Sequence, residues 1–413
     1  MKKLFYLIIL SIFLSSCDNQ NDQPFQGDLS DYPILKRVLD SADKFQVQIL
    51  YSKIDRNEHG VPMFDTHEFN LDDERYFYPA STVKLPVAIL ALEWLEEQNV
   101  DNLDMNSIML VDSVRPSQVP AYVDKSSKDS LPSIAHYIKK ILLVSDNDAY
   151  NRLYELLGQD YINQKLAEKG LNHTIINHRL SFPANEIENR YFNPIKFVDK
   201  SGNIILELPE RESKAIYSNP EKPVIGRAYY SGDSLINTGM EFTFKNKFAL
   251  SDLHGVIQRI VFPQAFLEQE RFQLNEEHRK FILKYMSMLP RESDFPSYQG
   301  EEYYDSYSKF FKFGTDKKPI PEQFRIFNKT GWAYGHLIDG SYFADFENNV
   351  EFIVSAIIYV NKDETLNDDQ YEYEEIGLPF FTELGEYLYQ KELKRKKGIK
   401  PDWSELKLNY LNN

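Results

Sequence analysis

The sequence predicts an α+β fold: an antiparallel sheet built from both ends of the chain, flanked by helices, with a mostly helical portion between them. Three observations lead there. Strand-forming residues fill Phe45 to Ile54 and return between Phe324 and Val360, helical periodicity occupies the middle, and a last helix closes the chain. With 413 residues, 42% of them hydrophobic, and 27 Tyr and 28 Phe, there is ample apolar material for a sizeable core.

Phe45 to Ile54 (FQVQILYSKI) alternates in part and is rich in β-formers, which predicts a strand, and Glu68 to Tyr78 reads as a second. Leu85 to Leu95 (LPVAILALEWL) is apolar almost all round, as in a helix buried on every side. From Ser133, Ile134, Tyr137, Ile138, Ile141 and Leu142 recur at three and four. After Ser145, Ala149, Leu153, Leu156 and Leu157 share one helical face. Residues 182–250, rich in Asn, Pro, Gly and Tyr, hold no clear period and read as an insertion. Leu253 to Phe266 and Glu276 to Leu289 are helical again. Phe324 to Asn328, Gly340 to Phe346 and Val350 to Val360 read as strands, joined by turns at Gly331–Gly335 and Glu347–Asn349. The closing helix, Tyr373 to Lys397, ends in a basic run suited to a helix C-terminus. There is no internal repeat.

The N-terminus carries Lys2-Lys3 and then a short apolar run, Leu4 to Leu14, too short to span a bilayer and suited to a secretory signal. It ends in Leu14-Ser15-Ser16-Cys17, which resembles the bacterial lipobox, whose cysteine becomes the lipidated first residue of the mature protein. Cys17 is the only cysteine, so no intramolecular disulfide can form. The expected organisation is a signal peptide over 1–16, a lipidated Cys17 with a flexible tether over 17–31, a catalytic domain over 32–397 and a tail over 398–413. That predicts export and a lipid anchor in a bacterial membrane, on its periplasmic or outer side. The net charge of −16 argues against a nucleic-acid binder, whose affinity rests on basic contacts. His173 and His178 lie in a loop and no H-E-x-x-H occurs, so neither a metal nor an organic cofactor is expected.

Three short motifs stand in order: Ser81-Thr82-Val83-Lys84, Ser145-Asp146-Asn147 and Lys329-Thr330-Gly331. A serine hydroxyl attacks poorly until a base takes its proton. A lysine three residues on, one helical turn away, serves as that base once burial and neighbouring cations lower its pKa. S-x-x-K alone says little, since it recurs at Ser41/Lys44, Ser306/Lys309 and Ser404/Lys407; only Ser81 directly precedes a long buried-type helix. Ser145 with Asp148 also reads as a capping box, and the Lys329 tripeptide as a plain strand-to-turn transition.

Together the motifs resemble the signature of class A β-lactamases and penicillin-binding proteins. The approach Phe77-Tyr-Pro-Ala-Ser81, the helix Ser145 to Gly158, and Asn328-Lys-Thr-Gly-Trp-Ala-Tyr-Gly335 followed by a hairpin and a last helix extend the likeness over roughly 40–175 and 250–392. The resemblance implies a serine β-lactamase-like fold and these roles. Ser81 is acylated and Lys84 is its base. Ser145 passes a proton to the leaving nitrogen. Asn147 binds the substrate amide. Lys329 and Thr330 hold the substrate carboxylate, and Gly331 lets substrate lie close to the strand. The backbone N–H groups of Ser81 and Trp332 form the oxyanion hole.

One part of the pattern is missing. Class A enzymes carry a loop glutamate that activates the deacylating water, and here that place falls at or near Leu180. Glu188 follows, either as a solvated loop carboxylate or as a substitute base on a longer loop. The leading expectation is acylation of Ser81 by β-lactams followed by hydrolysis. The alternatives are a penicillin-binding D,D-peptidase or esterase that acts on cell-wall peptides and traps β-lactams, and a non-catalytic lipoprotein that binds cell wall.

Overall fold

The structure is a computed structural model that describes residues 24–25 and 27–410. The signal-peptide and Cys17 readings lie outside the described residues. Among those described, no helix is long and apolar enough to cross a membrane.

Five strands form the central sheet: β1 (Gln48–Arg56), β2 (Pro62–Phe69), β3 (Phe324–Ala333), β4 (His336–Asp345) and β5 (Val350–Tyr359). Their order is β3-β4-β5-β1-β2, with every pairing antiparallel, so the two chain ends complete one sheet as expected. Alternation along the strands sends side chains to two buried layers. Ile49, Tyr51, Phe343, Phe352 and Val354 pack with helices α1 (Pro33–Leu39) and α7 (Leu378–Lys394). Leu50, Tyr342, Ile353 and Ile357 join the larger core of the helical portion. That portion comprises α2 (Lys84–Gln98), α3 (Ile134–Val144), α4 (Asn147–Glu168), α5 (Leu250–Val261) and α6 (Glu276–Ser287). Helix α2 is buried from Lys84 to Leu95, which accounts for its apolar circumference. The first turn of a helix makes no use of its N–H groups, so Pro86, three residues into α2, breaks no helical bond.

The second strand lies earlier than expected. Asn70, at φ 52°, turns the chain, and the Asp72 carboxylate accepts the N–H groups of Glu74 and Arg75, which leaves Glu68–Tyr78 mostly outside the sheet. Strand β3 runs past Gly331 to Ala333 and pairs Ala333 with His336. The hairpin therefore closes through Tyr334 and Gly335, both at positive φ, a conformation whose twist suits a two-residue turn. The insertion contains short strands. Ile195–Val198 pairs with Ile108–Val111 on one side and Ile204–Leu208 on the other, while Ala228–Ser231 pairs with Ser234–Ile236 and with Thr365–Leu366.

Described residues of both expected tails pack against the fold. Residues 17–31 read as a tether, yet the described part from Pro24 packs down: Phe25 and Leu29 are buried, and Phe25 meets Phe69 edge-on at 5.9 Å. In the 398–413 tail, Trp403 and Leu406 are buried, with Trp403 5.0 Å from Phe346. Apolar side chains scattered through a polar segment still find a surface to cover.

Candidate active site

Ser81 sits in a tight turn, Ala80–Val83, that leads into α2. In a 3₁₀ turn, side chains three apart eclipse, and Lys84 is therefore stacked over Ser81. Its Nζ donates to Ser81 Oγ at 2.9 Å, to Asn147 Oδ1 at 2.7 Å, to Ser145 Oγ at 3.2 Å and to the Ser145 carbonyl. Lys84 is wholly buried. Desolvation, with the charge of Lys329 second, drives its pKa well below the ordinary lysine value, against the opposing pull of Asp146.

Ser145 ends α3 in the left-handed conformation at φ 62°. Helix α4 is capped by the next residue: Asp146 accepts the N–H of Ala149 at 2.8 Å. The capping-box reading of Ser145 is thus corrected by one position, and the Ser145 hydroxyl is left to the lysines. Lys329 reaches it from β3, donating to Ser145 Oγ at 2.8 Å and to the Thr330 carbonyl at 2.7 Å. Burial brings the Lys329 pKa down to about 7; Asp339 pushes it up and Lys309 pulls it down. Ser81, Lys84, Ser145, Asn147 and Lys329 thus form one connected cluster.

Gly331 explains how the strand approaches the serine. A Cβ there would lie 2.7 Å from the Pro79 carbonyl oxygen, 2.9 Å from Ser81 N and 3.0 Å from Thr82 N, all backbone atoms. Only glycine permits this contact. Thr330 is buried beside it, and neither residue lines the open cleft. Trp332, 45% exposed, does line it. The cleft over Ser81 has a volume of about 730 Å³.

Asn147 bridges two groups: its Oδ1 accepts from Lys84 and its Nδ2 donates to Ser181 Oγ at 2.9 Å. Ser181, at φ 48°, is a cleft residue that sequence reasoning missed; nothing but its place after Leu180 pointed to it. Leu180 is buried against the same cleft. Its backbone is clamped by Asn151, which accepts the Leu180 N–H at 2.8 Å and donates to the Leu180 carbonyl at 3.0 Å. Glu188 is elsewhere. Arg115 donates to its carboxylate at 2.9 Å, Ser117 holds it as well, and these two partners push its pKa below the usual carboxylate value. It does not line the cleft, which corrects its reading as a base near Ser81. Of the aromatic stretch Tyr303 to Phe313, Tyr307 lines the cleft, while Phe310 and Phe311 are core.

A serine hydroxyl in contact with a buried, pKa-depressed lysine is equipped for nucleophilic attack. The chain belongs to the β-lactamase enzyme family, whose model matches residues 33–390. It is similar to a β-lactamase structure from Sphaerobacter thermophilus, with 16% identity, 86% of this chain and 97% of that one covered, and a TM-score of 0.46. The structure of PBP-A is similar at 15% identity, with 87% and 95% covered and a TM-score of 0.47. A class A β-lactamase from Clostridium kluyveri is similar at 12% identity, with 87% and 100% covered and a TM-score of 0.45. No curated protein matches in sequence.

Proposed function

We propose that the protein is a serine acyl-transfer enzyme acting on cell-wall peptides, which forms an acyl-enzyme on Ser81 with β-lactams and releases that acyl group slowly. Neutral Lys84 takes the Ser81 proton as Oγ attacks the amide carbonyl. The oxyanion rests on the N–H groups of Ser81 and Trp332. As the C–N bond breaks, the proton passes from Lys84 through Ser145 to the leaving nitrogen, while the charge of Lys329, buried behind Ser145, attracts the substrate carboxylate. Cys17 tethers the enzyme to the outer side of a membrane, a reading supported by the lipobox-like sequence.

The observation that carries slow release is Leu180. Where a water-activating carboxylate is needed, an alkyl side chain fills the wall, and Glu188 is engaged by Arg115 and Ser117. A peptide leaving group diffuses away and admits water, whereas the amine of an opened β-lactam stays attached and blocks the same path. This favours the penicillin-binding alternative over efficient β-lactam hydrolysis.

The test is intact mass of the protein mixed with penicillin G, followed over time beside Ser81→Ala and Leu180→Glu. A persistent adduct that Ser81→Ala abolishes is expected. In Leu180→Glu, a carboxylate facing the cleft should speed its loss by about 100-fold or more. An adduct that vanishes as hydrolysed penicillin accumulates in the unaltered protein would make it a β-lactamase. No adduct with several β-lactams would leave the cell-wall-binding reading.

A further inference from the structure

The far end of the cleft is built by a segment outside both the sheet and the helices around Ser81. Strand β3 forms one wall and rises about 3.3 Å per residue, so a chain laid along it from Thr330 reaches Ala333 after about 10 Å. Beyond the Tyr334–Gly335 turn stands the loop that follows β5. Its Tyr371 and Tyr373 rings lie 5.1 Å apart, and Tyr373 stacks on Trp332 at 5.6 Å with 27° between the planes. Each phenol oxygen is fixed by a backbone donor: Gly335 N–H to Tyr373 and Asn367 N–H to Tyr371, both at 2.8 Å. The ring faces are therefore held, not merely present.

Asp369 lines the same space at φ 59°, and it is exposed. Among the described residues no lysine, arginine or histidine pairs with it. Its charge is felt at both phenols, adding to the burial that pushes their pKa values up. The other acidic residue of the cleft, Asp146, is committed to capping α4 and lies 3.6 Å from Lys140 Nζ. Among the described residues no cationic side chain lines the cleft; Lys84 and Lys329 lie buried behind it.

The insertion braces this loop. Ala228 and Tyr229 pair in parallel with Thr365 and Leu366, Asn367 Nδ2 donates to the Tyr230 carbonyl at 3.0 Å, and Arg227 meets Glu364 at 2.5 Å.

Aromatic faces attract cations through their quadrupole, and a free carboxylate beside them adds charge attraction. We propose that Asp369, Tyr371, Tyr373 and Trp332 form a subsite that selects acyl donors whose acyl chain carries a primary ammonium group at its end remote from the reacting carbonyl. The inference rests on the acyl-transfer reading above and names its substrate class: zwitterionic amides, with a carboxylate at the leaving end and an amine on the acyl side. A neutral aromatic or sugar group would use the rings without needing Asp369.

Three penicillins with one six-carbon acyl chain, ending in methyl, ammonium or acetamide, make the test. Their second-order acylation rates are read by intact mass on the full protein and on Asp369→Asn. The ratio of ammonium to acetamide rates within one variant cancels any general effect of the substitution. A ratio of about 10 is expected in the unaltered protein, the tenfold that about 1.4 kcal/mol of cation recognition provides, and close to 1 in Asp369→Asn. A ratio near 1 in the unaltered protein, or one that survives in Asp369→Asn, overturns the subsite while leaving acylation standing. A preference for the methyl-ended chain overturns it too, in favour of an apolar wall. If none of the three acylates Ser81, the acyl-transfer reading itself falls, and the subsite with it.

Discussion

Lys84 is surrounded by four oxygen acceptors, an arrangement that by itself favours the ammonium form. Burial and the nearby Lys329 outweigh that, and the net direction is toward the free amine. The consequence for rate follows from the sign. Only neutral Lys84 accepts the Ser81 proton, so acylation rises with pH through the Lys84 pKa, and its acid limb should fall well below 10.5, the ordinary lysine value. A rate profile with its midpoint near that value would refute the role. Lys84→Ala should slow acylation by about 10²–10⁴-fold in the same assay. A second buried pair lies behind Lys329. Lys309 Nζ donates to Asn328 Oδ1 and to the Met286 carbonyl, both at 2.6 Å, and Asn328 Nδ2 donates to Asp339 at 2.9 Å. Burial brings Lys309 down to about 7 and lifts Asp339 to about 6, with Arg325 and Glu292 the other charges acting on Lys309. Lys309→Met strips Asp339 of a compensating cation and should cost about 3 kcal/mol in denaturant unfolding, part of which Lys309→Met/Asp339→Asn recovers. The linkage sign is definite. A depressed folded pKa means that the native state binds fewer protons than the unfolded one, so Lys309 makes stability rise from pH about 7 toward 10.5. That part of the rise should vanish in Lys309→Met. Nothing in the sequence marked this residue; Ser306/Lys309 looked like one more chance S-x-x-K, because burial is a property of the partners and not of the tetrapeptide.

At the scale of elements, the site is made where three of them end. The turn before α2, the junction of α3 and α4 and the last residues of β3 converge, each contributing one motif. The motifs were legible because they sit on chain breaks with distinctive neighbours: an apolar helix after Ser81, an Asp cap after Ser145, a hairpin after Lys329. What could not be read was how closely the breaks approach. Gly331 carries that information, since the spacing from β3 to the Ser81 turn leaves no room for a methyl group. The atoms it would strike are backbone and cannot swing aside. Gly331→Ala should therefore push the strand off the turn, costing about 1–3 kcal/mol of stability and slowing acylation in the fraction that stays folded. Thermal unfolding and adduct formation, measured on the same sample, separate the two. An unchanged acylation rate would mean that the turn adapts. The displaced second strand shows the opposite weakness of pattern reading. Glu68 to Tyr78 is compatible with a strand by composition, but a left-handed Asn70 and an Asp72 cap end the pairing first.

At the scale of the whole molecule, antiparallel order and closure by both ends followed from periodicity, because each central strand is buried on both faces and leaves a long apolar trace. The segments outside the sheet leave none. Phe25, Leu29, Trp403 and Leu406 are single apolar residues in polar surroundings, and their contacts, such as Phe25 with Phe69 and Trp403 with Phe346, join positions far outside any local period, so composition alone made a tether and a tail of their segments. Yet Trp403 closes the end of the sheet remote from Ser81. It covers Phe346 in the β4–β5 connection, while the Tyr334–Gly335 turn stands at the other end of β4, ten residues and about 30 Å away. Its neighbours tie down as well: Arg279 pairs with Glu405 at 2.9 Å, and Ser287 and Tyr410 share a hydrogen bond of 2.8 Å. A buried tryptophan of this kind contributes about 3–5 kcal/mol, so Trp403→Ala should lower the unfolding free energy by that order. The acylation rate per folded molecule should hold, because the cleft is built at the opposite ends of β3 and β4, at Trp332–Tyr334. Equal losses of stability and acylation would mean instead that the C-terminal segment acts on the cleft through β4. Loss of stability alone would make residues 398–410 part of the domain they were expected to trail from.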